Sequence, residues 1–308
     1  MRILVCIFCS LLISLNLFAQ EWKYGAKAGV NVSNVIGPTE TDAAGNALES
    51  TVYIIGFHIG PTLSYKFADK SSVSLGLQFS QKGGKNRFED TSSYYFLLAP
   101  QEDSLYSPSV YVEGYKKQTI VSNLGYLDFS AMYYYNLFSN FKIGFGATAG
   151  FLLNGSGIGE TTFSGQLQEG SALVGLDQFS IRNDYRYIKD KSVSDPFGTD
   201  QIGISEVKVD ENSLLDKRFY PTTVGAYYDF TEKQGHFLNR FDLGANVELR
   251  WEIESGLYFG FRANVGLLDA TNNYYDFNRH DVNDDLTRIS RSDFDRNISF
   301  QTSVGFNF

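Results

Sequence analysis

Six ionisable residues, Lys27, His58, Asp128, Glu248, Arg250 and Arg262, sit at polar positions inside stretches whose other alternate positions are apolar. Charges drawn out of bulk water in that way must find partners. Two chemistries fit them. One is a structural ion network, the other a relay for protons or ions. A conducting path needs a continuous lining of one sign, and the six residues mix both signs, so the sequence favours the network. If Ile253 to Gly256 closes a hairpin, positions whose numbers add to 510 face each other, and Glu248 stands opposite Arg262.

Other chemistry has less support in the sequence. The chain has three histidines. His58 lies mid-strand, while His236 and His280 fall in long connections. A hydrolytic site needs a His held against a Ser or Asp in a defined geometry. His280 is followed by Asp281, but neighbours in a loop do not make a triad, and no catalytic residue is assigned. Asp281, Asn283 and Asp285 are spaced like the first oxygen ligands of a calcium loop. Leu286 stands where that loop needs Gly, and Ser292 where it needs Glu. A solvated acidic loop is the reading, with Ca²⁺ the sole cofactor considered. The glycine-rich run GSGIGETTFSG (155–165) lacks the Lys-Ser/Thr and helix of a phosphate cradle and is expected to begin a surface loop.

The elements that position these residues show in the alternation. The last twelve residues, NISFQTSVGFNF, place Ile298, Phe300, Thr302, Val304, Phe306 and Phe308 on one face and polar or small residues on the other. Period-two patterning marks a strand with one apolar face. The same pattern recurs at 22–33, 53–67, 73–79, 127–135, 141–151, 241–251 and 257–267, which makes eight strands. Aromatic content of 16 % and 29 Gly against 6 Pro agree with β structure. Connections 68–71, 136–140 and 253–256 are tight, whereas 34–51, 86–118, 154–239 and 269–295 are long and polar. Tight turns at one end and long loops at the other are the pattern of a closed antiparallel transmembrane barrel. The aromatics Trp22, Tyr24, Tyr65, Tyr133, Trp251, Phe259 and Phe306 gather near the tight-turn end, as an interfacial girdle requires. Phe308, closing an amphipathic last strand, reads as a signal for the barrel-assembly machinery.

The first nineteen residues are a separate object. Arg2, the apolar run ILVCIFCSLLISL and a small residue at Ala19 predict a secretory signal peptide, which leaves 20–308 as the barrel domain. Both cysteines, Cys6 and Cys9, leave with it. Losing Arg2 takes the formal charge from −9 to −10. An acidic exported chain is a poor partner for nucleic acid.

The segments KYGAKAGVNVS, YLDFS (126–130) and RFDLGANVELRW resemble strands of the PorT-like outer-membrane β-barrel domain family. The resemblance covers most of 20–308. It implies a bacterial outer-membrane location with both termini periplasmic, and a loose link to surface-protein export. The 154–239 connection is long for that family, so a further hairpin near 219–230, and hence ten strands, stays open. The expected function is a non-enzymatic barrel with a filled lumen, set in outer-membrane lipid. Its tyrosine-rich surface loops would meet an envelope or surface protein or a glycan. A small pore is the alternative, and a barrel hydrolase stands behind both.

Overall fold

The computed structural model describes residues 22–99, 107–169, 172–188, 204–207, 218–228, 230, 234–253, 256–283 and 288–308. Eight strands follow one another round a ring: β1 Trp22–Ile36, β2 Ile54–Ala68, β3 Ser71–Ala99, β4 Ser107–Asn136, β5 Phe141–Glu169, β6 Phe241–Glu252, β7 Leu257–Gly266 and β8 Arg296–Asn307. Each is antiparallel to its chain neighbour, and β8 pairs with β1 from Gly25↔Asn307 to Ile36↔Arg296, so all eight have two partners. The Phe308 amide donates to Tyr24 O at 2.7 Å and extends the seam to the last residue. Eight strands thus form the ring, and the ten-strand alternative is set aside: among the described residues, 218–221 pair with 204–207 and with Leu98 at the far end of β3, and 223–224 with the strand Ala172–Arg186, none of them as a member of the ring.

The alternation decides which face is which. Side chains on the apolar face are exposed, with Ile55 at 77 %, Leu249 at 53 % and Phe308 at 75 %. Their polar counterparts point inward and are buried. A water-soluble protein does not leave so broad an apolar belt uncovered, whereas a barrel in lipid requires one. The tight turns lie where the sequence places them. In the 253–256 turn, Gly256 takes φ +88, and a Cβ there would sit 2.3 Å from Asn307 O. Trp22 packs on Tyr65 at 4.7 Å, Trp251 on Phe259 at 5.8 Å, and Phe306 on Phe308 at 5.2 Å. These pairs, with exposed Tyr24 and Tyr133, ring the turn end.

The opposite end departs from expectation. Residues 86–118 and 154–239 are not simply polar loops. β3, β4 and β5 run for 29, 30 and 29 residues, although about 10 suffice to cross a bilayer. Their outer portions, joined by the strand Ala172–Arg186 that folds back on β5, form a sheet continuous with the wall. GSGIGETTFSG lies in β5 rather than opening a loop. Ile158, Thr161, Thr162 and Phe163 among its glycines and serines continue the strand there, more polar because no lipid lies outside. Among the described residues, the one helical piece is the 3-10 turn Asn273–Tyr275. The predicted signal segment lies outside the described residues.

Candidate functional site

Inside the ring all six sequence-predicted charges are buried, and the structure divides them into groups. Glu248 faces Arg262 in the β6–β7 register, as the hairpin arithmetic requires. Arg262 Nη2 lies 2.7 Å from Glu248 Oε2, and Arg250 Nη2 2.9 Å from Oε1. The Arg250 guanidinium is sandwiched between the rings of Tyr134 and Tyr258, 4.1 Å from each centroid. Asp128 belongs to a second pair: Lys82 Nζ sits 3.0 Å from its Oδ2 and also 4.8 Å over the Tyr126 ring. His58 bridges Asn31 Oδ1 at 2.6 Å and Ser303 Oγ at 2.8 Å. Lys27 is buried too, yet no carboxylate among the described residues comes within ion-pair distance of it.

Sequence reading missed Lys82, Tyr126, Tyr134 and Tyr258. The signal was present, since each occupies the inward phase of its strand. The inward phase of such a strand ordinarily holds charge or small residues, which hides Tyr134 and Tyr258 from a pattern-based reading. The glycines explain how large rings fit. Tyr258 pairs with Gly305, where a Cβ would lie 2.1 Å from its Cζ, and Tyr134 pairs with Gly144, where a Cβ would lie 2.5 Å from its Cε1. Each ring lies across a neighbouring strand where that strand has no side chain. An eight-stranded barrel is just wide enough for its inward side chains to fill it, and here paired ions and tyrosines do so.

A second constellation, at the extended end, was not foreseen. The 269–295 connection folds back as a hairpin, Phe277–Val282 against Arg288–Ser290. It docks on the connection after β1 through Glu40. The backbone amides of Arg279 and His280 donate to Glu40 Oε1 at 2.7 and 2.8 Å, and Arg291 Nη1 lies 3.4 Å from Oε2. Glu49 pairs with both Arg279 and Arg291. His280 does not use its neighbour Asp281. Its Nδ1 meets Asp90 Oδ2 on β3 at 2.6 Å, and the same oxygen accepts from Ser93 Oγ. Burial lowers the proton affinity of His280, but the Asp90 carboxylate outweighs that and holds it above the ordinary histidine range. The serine bonds the Asp rather than the His, which is not the order a nucleophile–base pair needs.

Above the barrel mouth these segments enclose a cavity of ≈650 Å³. Its floor includes Leu124 and Val35, part of an apolar cluster with Tyr187, Tyr227, Phe237 and Tyr275 that caps the lumen. Tyr185, Tyr187 and Tyr275, from two of the tyrosine-rich stretches, face this interior space rather than the outer surface. Of the calcium-spaced residues, Asp281 and Asn283 are exposed and Asp285 lies outside the described residues. No three His, Cys, Asp or Glu side chains among the described residues converge as metal ligands would.

No curated protein matches the chain. Among solved structures it is similar to Ail, the attachment invasion locus protein of Yersinia pestis, at 9 % identity and TM-score 0.31, over 94 % of this chain and 99 % of that one. It is also similar to the toluene transporter TbuX of Ralstonia pickettii, at 8 % identity and TM-score 0.20, covering 94 % and 90 %. A third is the outer membrane protease OmpT of Escherichia coli, at 9 % identity and TM-score 0.21, covering 94 % and 95 %. A family model for the outer membrane protein beta-barrel domain matches residues 18–272. With the closed ring and its lipid-facing belt, that match makes the chain a member of the outer membrane protein beta-barrel domain family, seated in the bacterial outer membrane.

Proposed function

We propose that this barrel is a non-enzymatic, non-conducting membrane protein that works through the structure built on its extended end. The observation carrying this reading is the contrast between the two halves. Ion pairs, tyrosines and an apolar cap fill the lumen, whereas the extended end holds a large sheet and an open-walled cavity. Both described chain ends lie at the turn end, so turns and termini face the periplasm and the extended end faces outward. The signal peptide reading of residues 1–19 fits that export. Within the family, the likeness to PorT-like barrels supports a surface-interaction or export-accessory role, with a surface or envelope protein or a glycan as partner.

Planar-bilayer recording of the full-length mature chain tests the closed lumen, and the expected trace is silent. Steady channels would replace this reading with that of a small pore. The Glu248–Arg250–Arg262 cluster would then line the path, and Glu248→Gln would alter its ion selectivity.

A further inference from the structure

The cavity above the mouth has two unlike walls. One is made of rings: Phe230 and Phe277 border the space 5.5 Å apart, and behind them buried Tyr275 packs edge-on to Phe230 at 4.8 Å and stacks on Phe237. The other carries the amides of Asn86 on β3 and Gln118 on β4. Both amides are held at each end. Arg279 Nη1 lies 3.3 Å from Asn86 Oδ1 and 3.5 Å from Gln118 Oε1, while their nitrogens donate to Glu49 Oε1 at 3.2 Å and Thr161 Oγ1 at 2.9 Å. Groups fixed in this way lose little freedom when a ligand arrives.

Charge narrows the ligand class. The lining holds five cationic and five carboxylate side chains, and Arg279 and Arg291 are already engaged by Glu40 and Glu49. A strongly charged ligand finds no surplus of the opposite sign. The amides of Asn86 and Gln118 each still have a second N–H and a second lone pair, which a purely apolar ligand would cut off from water without a hydrogen bond in return, a costly exchange. What fits is a neutral molecule with a flat apolar face and a hydroxyl-bearing edge. Sugar rings have that form: their C–H faces lie on aromatic rings, and their hydroxyls bond both donors and acceptors. The volume of ≈650 Å³ falls within the roughly 300–1,000 Å³ of small-molecule sites.

We propose that this cavity binds a neutral saccharide, stacked on Phe230 and Phe277 and hydrogen-bonded by Asn86, Gln118 and Arg279. The proposal rests on the outward-facing, closed-lumen reading above and gives its recognition surface a ligand class. The test is saturation-transfer NMR on the full-length mature chain in a detergent without a sugar headgroup. The probes are maltotriose, chitotriose, a sulfated disaccharide and toluene. At least one neutral trisaccharide is expected to bind, with its ring C–H protons receiving most saturation. Gln118→Leu and Phe277→Ala are each expected to weaken it tenfold or more while leaving the heat-dependent gel mobility of the folded barrel unchanged. Binding of toluene or the sulfated sugar alone would overturn the proposal, as would no binding of any probe to a silent, folded barrel. Sugar binding that persists in both variants while blocking ion flow would move the site into the lumen. That result would overturn both this proposal and the closed-lumen reading.

Discussion

At the residue scale, the interior is governed by what each charge has beside it. Lys82 and Asp128 are buried together with side-chain exposures of 3 % and 1 %. Removing one partner strands the other, at a cost of about 3–5 kcal/mol. Lys82→Met is therefore expected to destabilise the folded barrel by that order in reversible urea unfolding, because Asp128 stays behind. Lys27 provides the contrast. Among the described residues it has no carboxylate within ion-pair distance, so Lys27→Met removes a desolvated charge without orphaning a paired one and is expected to leave stability equal or raised. If both variants unfold at the same urea concentration, the pairing described for Lys82 is not what holds it. Gly305→Ala addresses the rings. Its new Cβ would fall 2.1 Å from Tyr258 Cζ, and Tyr258 cannot retreat without moving Arg250, which its ring helps to sandwich. Overpacking of this kind costs about 1–3 kcal/mol, and the same unfolding measurement reads it.

At the scale of elements, the hairpin of Phe277–Val282 against Arg288–Ser290 is held over the cavity by polar and ionic contacts, which makes it sensitive to pH. His280 is one of them. Asp90, Asp281 and Glu40 all face it and favour its charged form, against the burial that opposes charge. A group whose folded value is raised contributes stability that is full below its unfolded value, and this contribution is lost as pH climbs through the folded one. The hairpin is thus expected to be held most firmly below the ordinary histidine value of 6.5 and to loosen on the alkaline side. Hydrogen exchange of residues 277–282 is expected to be slower at about pH 5 than at about pH 9 after correction for intrinsic rates. Asp90→Asn is expected to flatten that difference. An unchanged pH profile in the variant would mean that Asp90 is not the controlling partner.

At the scale of the whole molecule, the arrangement is a soluble protein turned inside out. Its outer belt is apolar, and its centre is polar and paired. Removed from lipid or detergent, it has nothing to cover side chains such as Ile55 and Leu249. The closed hydrogen-bonded ring is expected to resist detergent at room temperature, so that unheated samples migrate faster on gels than boiled ones. Identical mobility would sink the barrel reading. Phe308 allows a role in assembly to be tested apart from one in folding. Its side chain is 75 % exposed, so deleting it is expected to change in-vitro unfolding little while reducing the amount inserted in cells. If the deletion destabilises the purified barrel strongly, Phe308 is a structural clamp rather than an assembly signal.

From the sequence come the eight crossing segments, their order, the turn end and the Glu248–Arg262 pairing, while the choice between eight and ten strands was decided only by the ring. Period-two alternation and tight turns are local properties, and one hairpin register follows from one turn. The sequence could not decide register across the long connections. Lys82 and Asp128 lie on neighbouring strands β3 and β4 whose polar phases are each legible, but they meet diagonally, with Asp128 opposite Gln78 and Lys82 opposite Leu124, and the long connection between the strands sets no register. Tyr258 over Gly305 likewise needed a register set across the long 269–295 connection, whereas Tyr134 over Gly144 follows from the tight 136–140 turn, as Glu248 opposite Arg262 follows from 253–256. Beyond the bilayer, alternation weakens because water replaces lipid and either face can be polar, so long strands read as loops there. Only tertiary structure brought Glu40 to Arg279 and Asp90 to His280, because those contacts span connections whose path no local pattern specifies.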